Sequence, residues 1–186
     1  GSITISDALL VAQYYVKLID SLNCGPDITP DPTDEPTPNP GATGNPDADS
    51  DPHGYGGSAT GGGNASPQTV SSASAFDSAV DGSNAAVIIV NGILNIGSVD
   101  IGSNKTIIGA NGNSGLRGGT VKVGGNNVIF KNLIIGGASG DAMEITGASN
   151  IFIHKCTFVD GGDGSCDIVR GSDNVTLSWC RFYYED

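Results

Sequence analysis

The chain has 186 residues, of which only 38% are hydrophobic, so its apolar core can occupy no more than part of its length. Eight basic residues stand against 20 acidic ones, a formal net charge of -12, and we therefore expect neither nucleic acid nor an anionic membrane as a partner. No apolar stretch reaches the length of a membrane span, and the N-terminus lacks a signal-peptide pattern, although both ends of the sequence look cut.

Residues 1–24 begin with a short polar stretch and then place apolar side chains at helical spacing. Gly1, Ile3 and Asp7 fit the sixth, eighth and twelfth positions of an EF-hand calcium loop. The segment resembles the second half of a dockerin repeat, although an N-capped amphipathic helix would have a similar pattern. A complete dockerin implies a cohesin or scaffoldin partner. The first calcium ligands would precede residue 1, so this calcium site cannot be complete in the chain.

Residues 25–53 differ sharply in composition from the rest of the chain. They contain seven carboxylates, eight of the nine prolines and no lysine or arginine. Such a segment has too little apolar surface to offset the entropy of ordering it, so we predict an extended, disordered linker. It would tether two modules, or else form a tail with no tethering role.

Residues 54–186 have the pattern of a folded domain that is almost entirely β. The stretch "SSASAFDSAV" at 71–80 predicts one short helix, because serines can cap it and its apolar side chains share one side. From Ala86 onward, short runs rich in Val and Ile alternate with Gly, Asn and Ser turns, and no second helix is evident.

A repeat within this domain determines the predicted architecture. An asparagine precedes each of four strand-like segments, at spacings of 23, 23 and 24 residues: Asn104, Asn127, Asn150 and Asn174. Apolar residues recur three positions after these asparagines, at Ile107, Phe130, Ile153 and Leu177. Like residues that recur once per turn predict a parallel β-helix. The signature of a leucine-rich repeat is absent, and a β-sandwich would not hold one asparagine register through four segments.

Six segments of the domain also carry a family resemblance. They are "GYGGSATGGG" at 54–63, "VIIVNGILNI" at 87–96, "SNKTIIGAN" at 103–111, "NNVIFKNLII" at 126–135, "DAMEITGASNIFIHKCTF" at 141–158 and "DIVRGSDNVTLSWCRF" at 167–182. In this order they resemble the secreted pectate lyases of polysaccharide lyase family one. The resemblance implies a right-handed β-helix, an extracellular setting and calcium-dependent cleavage of polygalacturonate by β-elimination. It places the catalytic arginine and a substrate-binding lysine beyond residue 186.

Four carboxylates are the candidate metal ligands. If Ile168 points into the core, Asp167 points outward, and Asp163 can lie on the same side. In the repeat register, Glu144 takes the position of Asp167 one turn earlier, and Asp141 lies three residues before Glu144. Crowded carboxylates favour a bound cation, and oxygen ligands suit calcium. The pectate lyase resemblance matches all three aspartates to calcium positions, whereas Glu144 comes from the register alone. Alternatively, Asp141 and Asp163 are only turn residues beside glycines.

Three polar or aromatic residues near the repeat have less specific interpretations. His154 and Lys155 stand where the family usually has Asp-His, and we expect two exposed polar side chains there. We expect Trp179 to face outward next to the acidic sheet, either lining a sugar groove or as an ordinary surface aromatic.

The cysteines do not have metal-type spacing. Cys156 and Cys180 share a repeat position, which predicts stacked interior thiols, with a disulfide between them as the alternative. Cys24 and Cys166 have no evident partner.

The sequence thus leads to two functions of different classes. The first is an extracellular, monomeric pectate lyase, with calcium as cofactor and in a setting like that of a cellulosome. This chain alone would be inactive because it would lack the catalytic arginine. The second is a non-catalytic β-helical module that binds carbohydrate or mediates adhesion. A pectin lyase is a weaker variant of the first, because a methylated substrate would not need a calcium bridge.

Overall fold

The computed structural model describes residues 51–185. The predicted dockerin-like segment at 1–24 and residues 25–50 of the predicted linker lie outside the described residues, so both remain predictions.

The described chain forms fifteen short strands, one α-helix and one 3₁₀ turn at Gly54–Ser58. In chain order the elements are β1 Pro67–Val70, α1 Ala73–Val80, β2 Ala86–Val90, β3 Ile93–Asn95, β4 Val99–Ile101, β5 Lys105–Gly109, β6 Gly115–Arg117, β7 Val121–Val123, β8 Val128–Lys131, β9 Ile134–Gly136, β10 Met143–Thr146, β11 Ser149–His154, β12 Thr157–Val159, β13 Cys166–Val169, β14 Asp173–Ser178 and β15 Arg181–Tyr183. The predicted helix at 71–80 is confirmed, with Ser72 as its N-cap.

The strands coil into about five turns, or rungs, whose walls are three parallel sheets. The six-stranded sheet has the order β1-β2-β5-β8-β11-β14, the four-stranded sheet β13-β10-β7-β4 and the five-stranded sheet β15-β12-β9-β6-β3. This is the parallel β-helix that the repeat predicts. The predicted register is also confirmed, because Phe130 pairs with Ile107 on one side and with Ile153 on the other.

The predicted asparagine corner is present at every turn of the repeat. All four residues adopt left-handed backbone conformations, with φ between 53° and 60°: Asn104, Asn127, Asn150 and Asn174. Asparagine tolerates this conformation better than most residues. In addition, the side-chain nitrogen of Asn127 donates a hydrogen bond of 2.8 Å to the side-chain oxygen of Asn104, which ties one rung to the next.

The core of the coil is closed at its first rung by α1, which buries Phe76 and Val80 completely. Lys105 occupies a core position of the same end and is also fully buried. Its ammonium donates hydrogen bonds to three backbone carbonyls at 2.7 to 2.9 Å. Burial lowers the pKa of Lys105, and a nearby aspartate partly opposes that shift. The three carbonyls are satisfied by one cation, which explains a lysine where later rungs have valine or isoleucine.

Residues 53–63 form a strap that lies across the outer face of the six-stranded sheet. Backbone amides of the strap donate to side-chain oxygens of three different rungs: Gly56 to Thr176, Gly61 to Asn127 and Gly62 to Thr106. Ala59 of the strap also packs with two outward-facing residues of the sheet in a second, small apolar cluster. The glycine-rich segment "GYGGSATGGG" is therefore a cover that fits closely over one side of the coil.

His154 is buried beneath the strap, so the expectation that it is exposed is wrong. Its side chain is only 4% exposed, stacked on the ring of Phe152 and close to the ring of His53. The alternation of the strand does point His154 away from the core, but the strap covers that face. Lys155 is exposed, as predicted.

The interior thiols are confirmed. Cys156 is 1% exposed, Cys180 packs partly buried against the core one rung later, and neither forms a disulfide. Cys166, for which the sequence suggested no partner, lies near Cys180 but forms no disulfide. Burial, with Cys180 as a smaller cause, raises the pKa of Cys166 to about 12, so this thiol stays protonated near neutral pH.

Trp179 is 83% exposed, as predicted, but its predicted position next to the acidic sheet is wrong. It lies at the left-handed corner between β14 and β15, where the six-stranded sheet meets the five-stranded sheet. The acidic residues lie on the four-stranded sheet, so the length of β14 separates Trp179 from them along the chain.

The close fit of the strap can be tested at Gly56. A Cβ at this position would overlap the carbonyl oxygen of Ile151, so we expect Gly56→Ala to lower the free energy of unfolding by about 1–3 kcal/mol. Urea unfolding would measure the change. Gly57→Ala is the matched control, because its Cβ would meet nothing nearer than the Pro52 carbonyl oxygen at 3.6 Å, and we expect a change within about 0.5 kcal/mol. Equal stability of the two variants would contradict the close contact.

Candidate metal centre

The outer face of the four-stranded sheet carries one column of charged residues. The strands pair so that Asp100, Lys122, Glu144 and Asp167 lie side by side on successive rungs. The predicted equivalence of Glu144 and Asp167 is thereby confirmed. Neighbours on either side of this column point inward, as the complete burial of Met143 and Ile145 shows. Adjacent rungs are about 4.8 Å apart, so the charges of the column are close neighbours.

Two stacked loops bring the remaining aspartates to this face. Asp141 lies just before β10, and Asp163 lies in the loop before β13, one rung later. Backbone hydrogen bonds join the loops: Gly162 donates to the carbonyl of Gly140 and Ala142 donates to that of Gly164, both at 2.9 Å. The loops are therefore held in register next to the charged column.

Gly164 shows how closely two of the carboxylates approach each other. A Cβ on this residue would lie 2.6 Å from Oδ1 of Asp141 and 2.7 Å from Oδ1 of Asp167. The two oxygens thus face the same small space beside Gly164, which holds no side chain. Oδ1 of Asp141 is buried and accepts no hydrogen bond from the described residues.

The electrostatics of Asp141 reflect this crowding. Burial raises the pKa of its carboxyl group, and the charges of Asp167, Asp163 and Glu144 raise it further. Glu144 accepts a hydrogen bond of 2.7 Å from the hydroxyl of Thr146, which fixes its side chain on the same face. All four predicted ligands are therefore electrostatically coupled, although coupling alone does not identify an ion.

The residues suit a hard divalent cation in three respects. Their donors are carboxylate oxygens, one of these oxygens is buried without a hydrogen bond, and the space beside Gly164 is kept free of a side chain. Across residues 51–185, no three carboxylate, imidazole or thiol groups already surround one point at metal-binding distance. A bound cation would therefore draw these side chains together and take further ligands from solvent or substrate.

The sequence predicted the four carboxylates of the site but not the two other residues of the charged column, Lys122 and Asp100. Lys122 is exposed and lies between Asp100 and Glu144. The signal was available, because the same once-per-turn count that links Asp167 to Glu144 leads one rung further back to Lys122. Asp100 follows at the next step.

Sequence comparison finds similarity to pectate lyases. The chain is 32% identical over 114 residues to a pectate trisaccharide-lyase of Thermotoga maritima, covering 54% of this chain and 31% of that protein. It is 38% identical over 122 residues to pectate lyase A of Aspergillus niger, covering 59% of this chain and 38% of that protein. The chain thus spans about a third of the length of these curated relatives. No protein-family model matches the chain.

Solved structures share the fold. A pectate lyase from Bacillus sp. N165, in complex with trigalacturonate, superposes with a TM-score of 0.63 at 22% identity, covering 73% of this chain and 56% of that one. A Bacillus subtilis pectate lyase variant gives the same TM-score at 20% identity, covering 74% and 62%. Within residues 51–185, no helix has the length and apolarity needed to cross a bilayer. Part of the chain is therefore similar in sequence to pectate lyases, and its β-helix fold is shared with solved pectate lyase structures.

Proposed function

We propose that this chain is the calcium- and substrate-binding part of an extracellular pectate lyase that cleaves polygalacturonate by β-elimination. One observation carries the proposal: Asp141, Glu144, Asp163 and Asp167 are brought together on one open face of the coil, with Oδ1 of Asp141 and Oδ1 of Asp167 both facing Gly164. The similarity to pectate lyases supports the same conclusion. The complex of a related fold with trigalacturonate supports a polyuronate as the substrate class.

In this proposal, Asp141, Asp163 and Asp167 hold the calcium ion, and Glu144 contributes from the neighbouring rung. An ion held by these carboxylates would supply positive charge next to the bound substrate, where negative charge develops on the uronate carboxylate when the C5 proton is removed. The chain itself supplies paired strands that fix the spacing of Glu144 and Asp167, and two hydrogen-bonded loops that carry Asp141 and Asp163. It also supplies Gly164, which leaves the space between Asp141 and Asp167 open.

Proton abstraction requires a base that we do not assign to a described residue. Arg117 is engaged in an ion pair with Asp160 at 3.1 Å, and Arg181 lies over the ring of Tyr183 on the five-stranded sheet. Arg170 follows β13 at a corner rather than on its outer face. We propose instead that the base is the arginine that the family resemblance places beyond residue 186.

A non-catalytic carbohydrate-binding or adhesive module is the second candidate function. The position of the arginines favours it, because Arg117 and Arg181 are engaged by groups away from the acidic face. The two candidates share the metal centre and the polyuronate ligand. They differ only in whether a complete protein cleaves what it binds.

The proposed setting follows from the predicted segments before residue 51. A dockerin repeat and an acidic linker would attach the β-helix, as a monomer, to a cohesin-bearing scaffold outside the cell. Both segments lie outside the described residues, so this part of the proposal rests on the sequence.

Calcium binding can be measured directly by titration calorimetry. We expect the Asp163→Ala, Asp167→Ala double variant to weaken calcium affinity at least about tenfold, because it removes two of the converging carboxylates. The matched control is Asp77→Ala, Glu185→Ala, which removes two exposed carboxylates elsewhere and should leave affinity unchanged. If both double variants bound calcium equally well, the site would be misassigned.

Cleavage separates the two candidate functions. With calcium at neutral to alkaline pH, the 186-residue chain should release unsaturated product from polygalacturonate at least about 10²-fold more slowly than a version extended through the downstream arginine, because general-base catalysis typically contributes that much. Ultraviolet absorbance of the product measures both rates. Comparable rates would mean that the base lies within residues 1–186, and an inactive extended protein would favour the binding module.

A further inference from the structure

We propose that Lys122 binds a carboxylate of the polyuronate next to the metal centre and thereby selects for non-esterified substrate. This inference rests on the proposed function and adds to it a substrate-binding residue one rung from Glu144. The role of Lys122 follows from its place in the charged column.

The first argument is position. Lys122 is the central residue of β7, between Val121 and Val123, which are both fully buried. Its side chain therefore points away from the core, onto the same face as Glu144 and Asp167. In the four strands of this sheet it is the only basic residue.

The second argument is that its ammonium is available. Within residues 51–185, Lys122 makes no hydrogen bond or ion pair, although the strand pairing places it between two carboxylates. Other basic side chains have their own partners: Lys105 binds three carbonyls, Arg117 binds a carboxylate and Arg181 lies over an aromatic ring. Lys122 is thus an exposed cation on an otherwise acidic face.

The third argument is spacing. Lys122 lies one rung from Glu144 and two rungs from Asp167, which corresponds to about 5 Å and about 10 Å along the coil. The rise of the coil per rung, about 4.8 Å, is comparable with the length of one pyranose unit. A polyuronate that follows the column can therefore place one carboxylate at the metal centre and a neighbouring one near Lys122. Asp100, on the rung beyond, would repel a further carboxylate and limit the bound stretch at that end.

Specificity follows from charge. A lysine ammonium attracts an ionised uronate but gains much less from a methyl ester, which carries no charge. The metal centre itself favours an ionised carboxylate on one sugar. Lys122 would in addition favour an ionised carboxylate on the neighbouring sugar.

The test is calorimetric titration of the 186-residue chain, with calcium present, against a de-esterified oligogalacturonate. We expect Lys122→Met to weaken binding about 3- to 10-fold and Lys122→Arg to bind like the unchanged chain, because only the first variant removes the cation. Lys155→Met is the control for net charge, since it removes one exposed cation at a corner away from the four-stranded sheet. The loss should shrink at high salt, where surface charges are screened, and with partly methyl-esterified oligomers.

Calcium titrated alone supplies a second readout. Removing a positive charge beside Glu144 cannot weaken an attraction for calcium, so Lys122→Met should bind calcium at least as tightly as the unchanged chain. Weaker binding of both calcium and oligomer would indicate a damaged site and overturn the proposal. Equal oligomer binding by Lys122→Met, or equal losses in Lys122→Met and Lys155→Met, would also overturn it. If the unchanged chain bound no oligogalacturonate, the proposed function would fail, and this inference with it.

Discussion

Parallel pairing between successive rungs is the constraint on which the rest of this structure depends. Each strand hydrogen-bonds to the equivalent strand of the neighbouring turn, so residues 19 to 24 positions apart in sequence become direct neighbours. Like residues consequently stack on like residues. Inside the coil, this produces columns of aliphatic and aromatic side chains such as Ile107, Phe130 and Ile153, which are all fully buried. Outside the coil, the same rule places charges next to charges.

The corners preserve this register. A left-handed residue recurs at the start of four strands of the six-stranded sheet, from Asn104 to Asn174, and a second series follows the ends of three of these strands at Asn132, Lys155 and Trp179. Such a residue turns the chain sharply without breaking the pairing of the strands on either side. Asn127 has a further role, because its side-chain oxygen also accepts hydrogen bonds from two amides of the strap. One corner residue thus stabilises both the coil and its cover.

The faces of the coil differ in what they can bind because of these arrangements. The strap covers the outer face of the six-stranded sheet and encloses Phe152 and His154. The four-stranded sheet instead exposes charged side chains, with the acidic loops beside them. Crowded carboxylates on such a face are costly in water, as the raised pKa of Asp141 reflects. A divalent cation or a well-placed lysine offsets that cost, and both can also bind an anionic polymer.

The sequence by itself determined the coil, its register and the equivalence of Glu144 with Asp167, because a β-helix converts a linear period directly into spatial contact. It could not determine what covers the coil, since the strap meets the sheet through residues as distant as Gly56 and Thr176, whose contact follows no period. For that reason, His154 could be assigned to an outer face from its strand but not recognised as buried. The tertiary structure alone decided that two loops bring Asp141 and Asp163 to the column, because loop paths depend on the packing of both rungs rather than on either segment alone.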